Sequence, residues 1–224
     1  MDTKKSKIGL IVPPADGEVP PEAEAIFGNE IDFVAYGLGI SQMDETNFRM
    51  ALDHLEEAAS ELMNSNVDAI SVMGTSLTFF EGRKGNHEII KSLKRYAPGV
   101  PVTTMSNAII HSLQQLEARE IAVLSAYDAD MHSRLISFLR EHGVLVTHSK
   151  NLGLLDIKDV HGLSQNVLEE VADEMVENSK DDSDALLISC GGLKTLDIVR
   201  RHKLFPVISS AVDGIENVVS LLSE

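Results

Sequence analysis

The amino-acid sequence predicts an α/β fold of two pseudo-symmetric αβα lobes, each built on a four-stranded, mainly parallel sheet. Three observations predict it. Short apolar, β-branched runs alternate with longer stretches of helical period, the pattern of βα units. Most of those runs are apolar on both faces, as strands are when helices cover a parallel sheet on either side. The second half of the chain also repeats the first in order.

The elements follow one another as strand and helix. KIGLIVP (7–13) and IDFVAY (31–36) are the first two strands. Residues 46–65 form a helix, because Phe48, Leu52, Leu55, Ala59 and Leu62 make one apolar stripe while Glu56, Glu57 and Glu61 face water. DAISVM (68–73) and PVTT (101–104) complete the first set of strands. Ser106 stands where it can cap the helix carrying Ile109, Ile110 and Leu113. EIAVLS (120–125) leads into a helix over 128–142, where Met131, Leu135 and Phe138 align and Gly143 ends the run. VLVTH (144–148), DALLIS (184–189) and PVIS (206–209) are the remaining strands, and 164–179 and 212–222 have helical period.

Three pairs of segments carry the repeat. DAISVMGTSL (68–77) matches DALLISCGGL (184–193), KIGLIVPPAD (7–16) matches EIAVLSAYDA (120–129), and VPVTTMS (100–106) matches FPVISSA (205–211). The division this implies is an N-terminal lobe over 1–114 and a C-terminal lobe over 115–211, with a last helix, 212–224, packing back on the first lobe. Loops at the C-terminal ends of the strands then meet in a cleft between the lobes, where the active site is expected.

Composition bounds the function. The chain has 224 residues, enough for a sizeable core, and a net charge of −16 that argues against nucleic acid or an anionic membrane as partner. A small anionic ligand is not excluded, since it responds to local donors. The single cysteine gives no internal disulfide, and MDTKKSKIGLIVPP is too short in its apolar run for a signal peptide. No run approaches the roughly 20 apolar residues of a membrane span. These features predict a cytoplasmic protein. The eight histidines show no spacing that suggests a zinc site.

The repeat pairs that single cysteine, Cys190, with Gly74, each at a strand end. The loops there suit an anion. GTS (74–76) supplies two hydroxyls and free N–H groups, and CGG (190–192) offers bare N–H groups at the start of a helix striped by Leu193, Leu196 and Val199. A buried cysteine often only fills space, and the flanking glycines and the turn weigh against that here.

IGLIVPPADGEVP, GLGIS, VMGTSL, TTMSNA, AYDAD and SCGGLKTLD together resemble the arylmalonate decarboxylase family, within the aspartate/glutamate racemase superfamily that also holds maleate isomerase and hydantoin racemase. The likeness runs from about residue 7 to 220, in order and register. Racemases and maleate isomerase in this superfamily generally use two cysteines, one from each lobe, whereas the decarboxylase keeps the second and has glycine at the first. This chain has Gly74 and Cys190. The resemblance therefore implies a cofactor-independent decarboxylation of an aryl- or alkyl-substituted malonate, with no metal and a small dicarboxylate as its only implied partner. It implies an oxyanion hole from Thr75, Ser76 and Tyr127 with the N–H groups of Ser76, Cys190 and Gly191, and Cys190 as proton donor to carbon. A substrate pocket of Pro14, Ile40, Met43, Phe48, Gly74, Leu77, Ile157, Val160 and Gly192 is implied as well. The helix terminus would lower the Cys190 pKa and a bound dianion would raise it.

Two other readings stand beside this one: a cofactor-independent racemase or cis-trans isomerase of the same superfamily, and a non-catalytic binder of small anions. Of the other polar residues, Asp16, Asp128 and Asp197 are expected to cap or bond loops. EGRKGN (81–86) reads as a solvated turn near the cleft, its Arg83 and Lys84 placed to steer dianions inward. His54, His87, His111 and His132 are expected at the surface or its boundary, and KDDSDA (180–185) as a solvated loop.

Overall fold

The computed structural model describes residues 5–223. Two four-stranded sheets form, and every strand pair within them is parallel. The first has the order β2-β1-β3-β4, from β1 (Ser6–Val12), β2 (Ile31–Gly37), β3 (Ala69–Val72) and β4 (Val102–Thr104). The second repeats that order as β6-β5-β7-β8, from β5 (Glu120–Tyr127), β6 (Leu145–Leu154), β7 (Ala185–Ser189) and β8 (Val207–Ser209). All eight expected strands are present and the α/β architecture is as the apolar runs require. The central strands are the ones buried on both faces: Ile8, Leu10 and Ile11 of β1 and Ile121 to Leu124 of β5 are all inaccessible. The edge strand β6 runs six residues beyond the expected 144–148. Register shifts after Ile121 and Ser125 of β5 carry its pairing on to Leu154.

The helical layers depart from expectation in instructive ways. The stretch 46–65 is two helices, α2 (Glu45–Asp53) and α3 (Leu55–Asn64), broken at His54 with φ −92° and ψ 1°. Asp44 starts α2 by accepting the Asn47 N–H at 2.9 Å. The apolar stripe crosses the break, with Phe48, Leu55, Ala59 and Leu62 buried, so its spacing gave no sign of a joint. EGRKGN is not a free turn. It opens α5 (Gly82–Tyr96), whose buried face is Asn86, Ile89 and Leu93. Gly82 supplies the turn before it with φ +69°. Thr104, not Ser106, caps α6 (Met105–Gln115), accepting the Asn107 N–H at 3.1 Å. Ser106 instead lies inside the first turn and donates to the Thr75 carbonyl at 3.2 Å.

Three short helices lie outside the expected elements: α1 (Pro21–Phe27), α4 (Thr75–Phe79) and α8 (Ile157–His161). The other helices are α7 (Ala129–Glu141), α9 (Gln165–Ser179), α10 (Leu196–Arg201) and α11 (Ser210–Ser220). Residues 190–192 do not start a helix: a turn spans 191–193 and α10 begins only at Leu196. Helix α11 packs along α6 and also meets α1, β3 and β8. Its Ile215 and Val218 share one apolar cluster with Ile8, Leu10, Met73 and Met105. No helix among the described residues is long and apolar enough to cross a membrane.

Two further seams join the lobes. The Phe79 ring of α4 stands 5.6 Å from Tyr127 and 6.0 Å from Phe138, spacings at which aromatic edges and faces attract. On the other side, residues 41–43 meet 155–157 as an isolated antiparallel bridge. Met43 N–H donates to Leu155 O at 3.0 Å, Ile157 N–H to Ser41 O at 3.1 Å, and the Gln42 amide to Asp156 at 3.1 Å.

Candidate active site

A cavity of about 340 Å³ opens at the C-terminal ends of the strands of both sheets. Cys190, Gly191 and Gly192 line it from the loop after β7, Gly74, Thr75 and Ser76 from the start of α4, and Tyr127 from the end of β5. Pro14, Ile40, Met43, Phe48, Ile157 and Val160 form an apolar wall. The bridge between 41–43 and 155–157 explains how Ile40 and Met43 come to share this wall with Ile157. Leu77 is the exception among the expected pocket residues. It is buried in the core, and its Cβ backs Gly74 from behind the cavity.

The floor is a hydroxyl network. Thr75 donates to the Met105 thioether at 2.8 Å, and Thr78 lies 2.6 Å from Ser106 and donates to the Gly74 carbonyl at 3.0 Å. The Tyr127 hydroxyl is 3.2 Å from that of Ser189. Ser189 precedes Cys190 directly, and that adjacency was the one sequence sign of its place here. Burial holds the Tyr127 pKa well above its ordinary value, and a charge on Cys190 would add to this, while the Ser189, Thr75 and Ser76 hydroxyls oppose it. Tyr127 is therefore a hydrogen-bond donor at neutral pH.

Cys190 is likewise neutral. Burial pushes its thiol up to about 11, against the opposing pull of the Gly192 N–H. No helix terminus assists ionisation, since α10 starts six residues later. The glycines that follow are there for space. A Cβ on Gly191 would lie 2.8 Å from both Cε and Sδ of Met105, and one on Gly192 would lie 3.0 Å from the His161 ring.

The remaining wall is charged, and sequence reasoning did not find it. Asp16, Glu18, Glu22, His161 and Lys194 all face the cavity. Asp16 is thus a lining residue and not merely a loop anchor, whereas Asp128 does cap α7, accepting the Met131 N–H at 2.9 Å. The loop after β1 ends a central strand just as that of Tyr127 does, and this position was the available clue to Asp16. Glu22 is buried, and its burial raises its pKa against hydrogen bonds from its own N–H and that of Thr195 and against the charge of Lys194. Arg83 and Lys84 are not cavity residues, and the Arg83 N–H instead donates to Glu141 at 2.6 Å. His132 is buried with Nδ1 2.8 Å from the Ser125 hydroxyl, not at the surface. Among the described residues no three His, Cys, Asp or Glu side chains gather as they would around a metal ion. The cavity thus offers several neutral donors and one transferable proton to an anion.

Comparison with known proteins gives the chain its relatives. The model of a family described as arylmalonate decarboxylase matches residues 8–224. Arylmalonate decarboxylase of Bordetella bronchiseptica is 34% identical over 217 residues, covering 96% of this chain and 89% of the relative. A glycine-to-cysteine, cysteine-to-serine double mutant of arylmalonate decarboxylase, solved in its liganded form, superposes with a TM-score of 0.91 at 31% identity, covering 97% of this chain and 93% of that one. Maleate isomerase from Pseudomonas putida superposes at 0.89 with 19% identity over 98% of this chain and 94% of that one, a likeness of fold alone.

Proposed function

The chain belongs to the arylmalonate decarboxylase family, and on that premise we propose that it decarboxylates a substituted malonate without a cofactor, holding the enediolate in an oxyanion hole and protonating it from Cys190. One carboxylate of the malonate binds the hydroxyls of Thr75, Ser76 and Tyr127 and the N–H groups of Ser76, Cys190 and Gly191. The other lies against Ile40, Met43, Phe48, Ile157 and Val160, where no donor offsets its charge. The bond from the α-carbon to that carboxylate breaks, carbon dioxide leaves, and the electron pair passes into the retained carboxylate as an enediolate. Fixed donors in a site shielded from water stabilise such developing charge, each worth about 2.7–4 kcal/mol. The Cys190 thiol then gives its proton to the α-carbon from one side and becomes a thiolate, which water reprotonates.

The observation that carries this reading is a neutral thiol on the wall of the cavity that also holds Thr75, Ser76 and Tyr127. A thiol, and not a thiolate, can serve as acid. A racemase or isomerase of the superfamily type would need a second thiol at the position the repeat pairs with Cys190, and Gly74 stands there.

The test is turnover of phenylmalonate and methyl-phenylmalonate in heavy water. Carbon dioxide release with deuterium at the new C–H bond, in one enantiomer from the methyl substrate, is the expected result. Exchange into chiral 2-aryl acids without release would favour the isomerase reading, and binding without either would favour a non-catalytic anion binder.

A further inference from the structure

We propose that the substituent of the malonate ends in a carboxylate and that Lys194 receives it. This deepens the decarboxylase reading and rests on it. The donors around Cys190 and the apolar wall account for the malonate head and the first atoms of its arm. The rest of the cavity is lined by Asp16, Glu18, Glu22, His161 and Lys194. A plain aryl or alkyl arm that reaches this wall gives none of these groups a polar partner.

Lys194 is the group left to be matched. Among the described residues it is the only Lys or Arg on the cavity wall. Among the described residues the lysines that form ion pairs are Lys5, Lys91, Lys150, Lys158 and Lys180, and Lys194 is not one of them. The neighbouring carboxylates do not take its place as partner. Glu22 is buried at 5% exposure, where burial works against its charge and the N–H groups of Glu22 and Thr195 engage its oxygens, and it feels the Lys194 charge without forming an ion pair with it. Asp16 and Glu18 are exposed on the loop after β1, as Lys194 is on its own loop, and among the described residues neither forms an ion pair with it. Lys194 also lies on the loop that carries Cys190, four residues on. That loop is pinned to β8 by the hydrogen bond between the Thr195 and Ser209 hydroxyls. The backbone that carries the cation is therefore fixed beside the cavity, and the exposed Lys194 side chain reaches the arm from it.

The experiment compares carbon dioxide release from phenylmalonate, 4-carboxyphenylmalonate and 4-(aminomethyl)phenylmalonate, and from ethylmalonate and (2-carboxyethyl)malonate, by the wild type, Lys194→Met and Lys194→Glu. In the wild type the better of the two carboxylate-tipped substrates should exceed its uncharged counterpart at least 10-fold in kcat/KM. The preference should shrink as salt is added, fall below 3-fold in Lys194→Met, and turn toward the amine tip in Lys194→Glu. Equal rates for charged and uncharged arms, a wild-type preference for the amine, or a carboxylate preference that survives both substitutions overturns the proposal while leaving the decarboxylase reading in place. If no malonate loses carbon dioxide, the decarboxylase reading fails instead. The Lys194 site is then judged by calorimetric titration with the same compounds, where a carboxylate preference lost in Lys194→Met upholds it and no such preference overturns it.

Discussion

The Thr75 hydroxyl donates to the thioether of Met105 across 2.8 Å, at the floor of the cavity and within one turn of the α6 N-terminus. Sulfur is a weak acceptor. It satisfies a buried hydroxyl without holding the proton against a stronger acceptor, so Thr75 can turn to a bound carboxylate at small cost. Thr75→Val, nearly the same size, is expected to lower kcat about 100- to 1000-fold, the loss typical of one oxyanion donor. Met105→Leu should lower kcat several-fold and cost under about 1.5 kcal/mol of stability, as volume-conserving core exchanges do. Met105→Gln, whose amide oxygen competes for the Thr75 proton, should lower kcat more than Leu does. Steady-state rates with phenylmalonate and thermal melts of the three variants check this ordering.

Cys190 gives a prediction in pH. Its thiol titrates near 11 in the folded chain but near 8.5 in an unfolded one. Activity should therefore persist through neutral pH and fall only as pH rises toward 11, when the proton to be delivered is lost. Between the two values the folded state keeps a proton that the unfolded state has shed, so stability should also decline as pH rises across that window, by roughly 3–3.5 kcal/mol in all. Cys190→Ser should remove this slope and reduce turnover by orders of magnitude with the fold intact. Urea midpoints at pH 8 and 10.5, and slow alkylation of Cys190 by iodoacetamide at pH 7, are the measurements.

These residues show which parts of the molecule were legible in sequence. The strands were, because burial on both faces of β1, β5 and β7 leaves an unbroken apolar run. So were Cys190 and Gly74, because the repeat places both at strand ends. The α5 helix was not, since Gly82 and Gly85 open it and its buried stripe begins with the polar Asn86. The turn at 191–193 was mistaken for a helix start because Leu193, Leu196 and Val199 keep helical spacing, although Leu193 is buried in the turn itself. The charged wall was least legible. Asp16, Glu18 and Glu22 lie in a proline-rich stretch without period, and the Gln42–Asp156 contact that closes the cavity spans 114 residues.

Gly74→Cys tests whether the two pseudo-symmetric positions share the substrate. A Cβ at Gly74 would sit 3.0 Å from Cγ of Pro13 and 3.2 Å from Cβ of Leu77. Shifts of a few tenths of an ångström in these two side chains accommodate it. The variant is expected to fold with a melting temperature a few degrees lower and to gain slow racemisation of 2-phenylpropionate. Deuterium exchange into both enantiomers would be seen by chiral separation and mass spectrometry. A folded variant that binds the acid and exchanges neither would show that Gly74 and Cys190 do not address opposite faces of one carbon.

Gly191 and Gly192 stand side by side, yet their alanine variants should differ. The methyl of Gly191→Ala would come within 2.8 Å of Cε and Sδ of Met105 and 3.2 Å of the Met73 carbonyl. Met105 is inaccessible, and its Cε already lies 3.2 Å from where a Cβ on Gly214 would be, so the thioether has little room to retreat. The strain must either lift the Cys190 loop off the cavity floor or push Met105 away from Thr75, and both disturb the proposed donors. A fall of at least about 100-fold in kcat, comparable to loss of one oxyanion donor, and a lower melting temperature are expected. The methyl of Gly192→Ala instead meets the His161 ring at 3.0 Å and Val160 Cγ1 at 3.1 Å. His161 is exposed and free to swing toward solvent. That variant should melt close to the wild type and show mainly a higher KM, because the added methyl narrows the cavity without moving its donors. Parallel kcat and KM determinations on the two variants decide the matter: equal losses in kcat would mean that Met105 does not brace the floor against which Gly191 is packed.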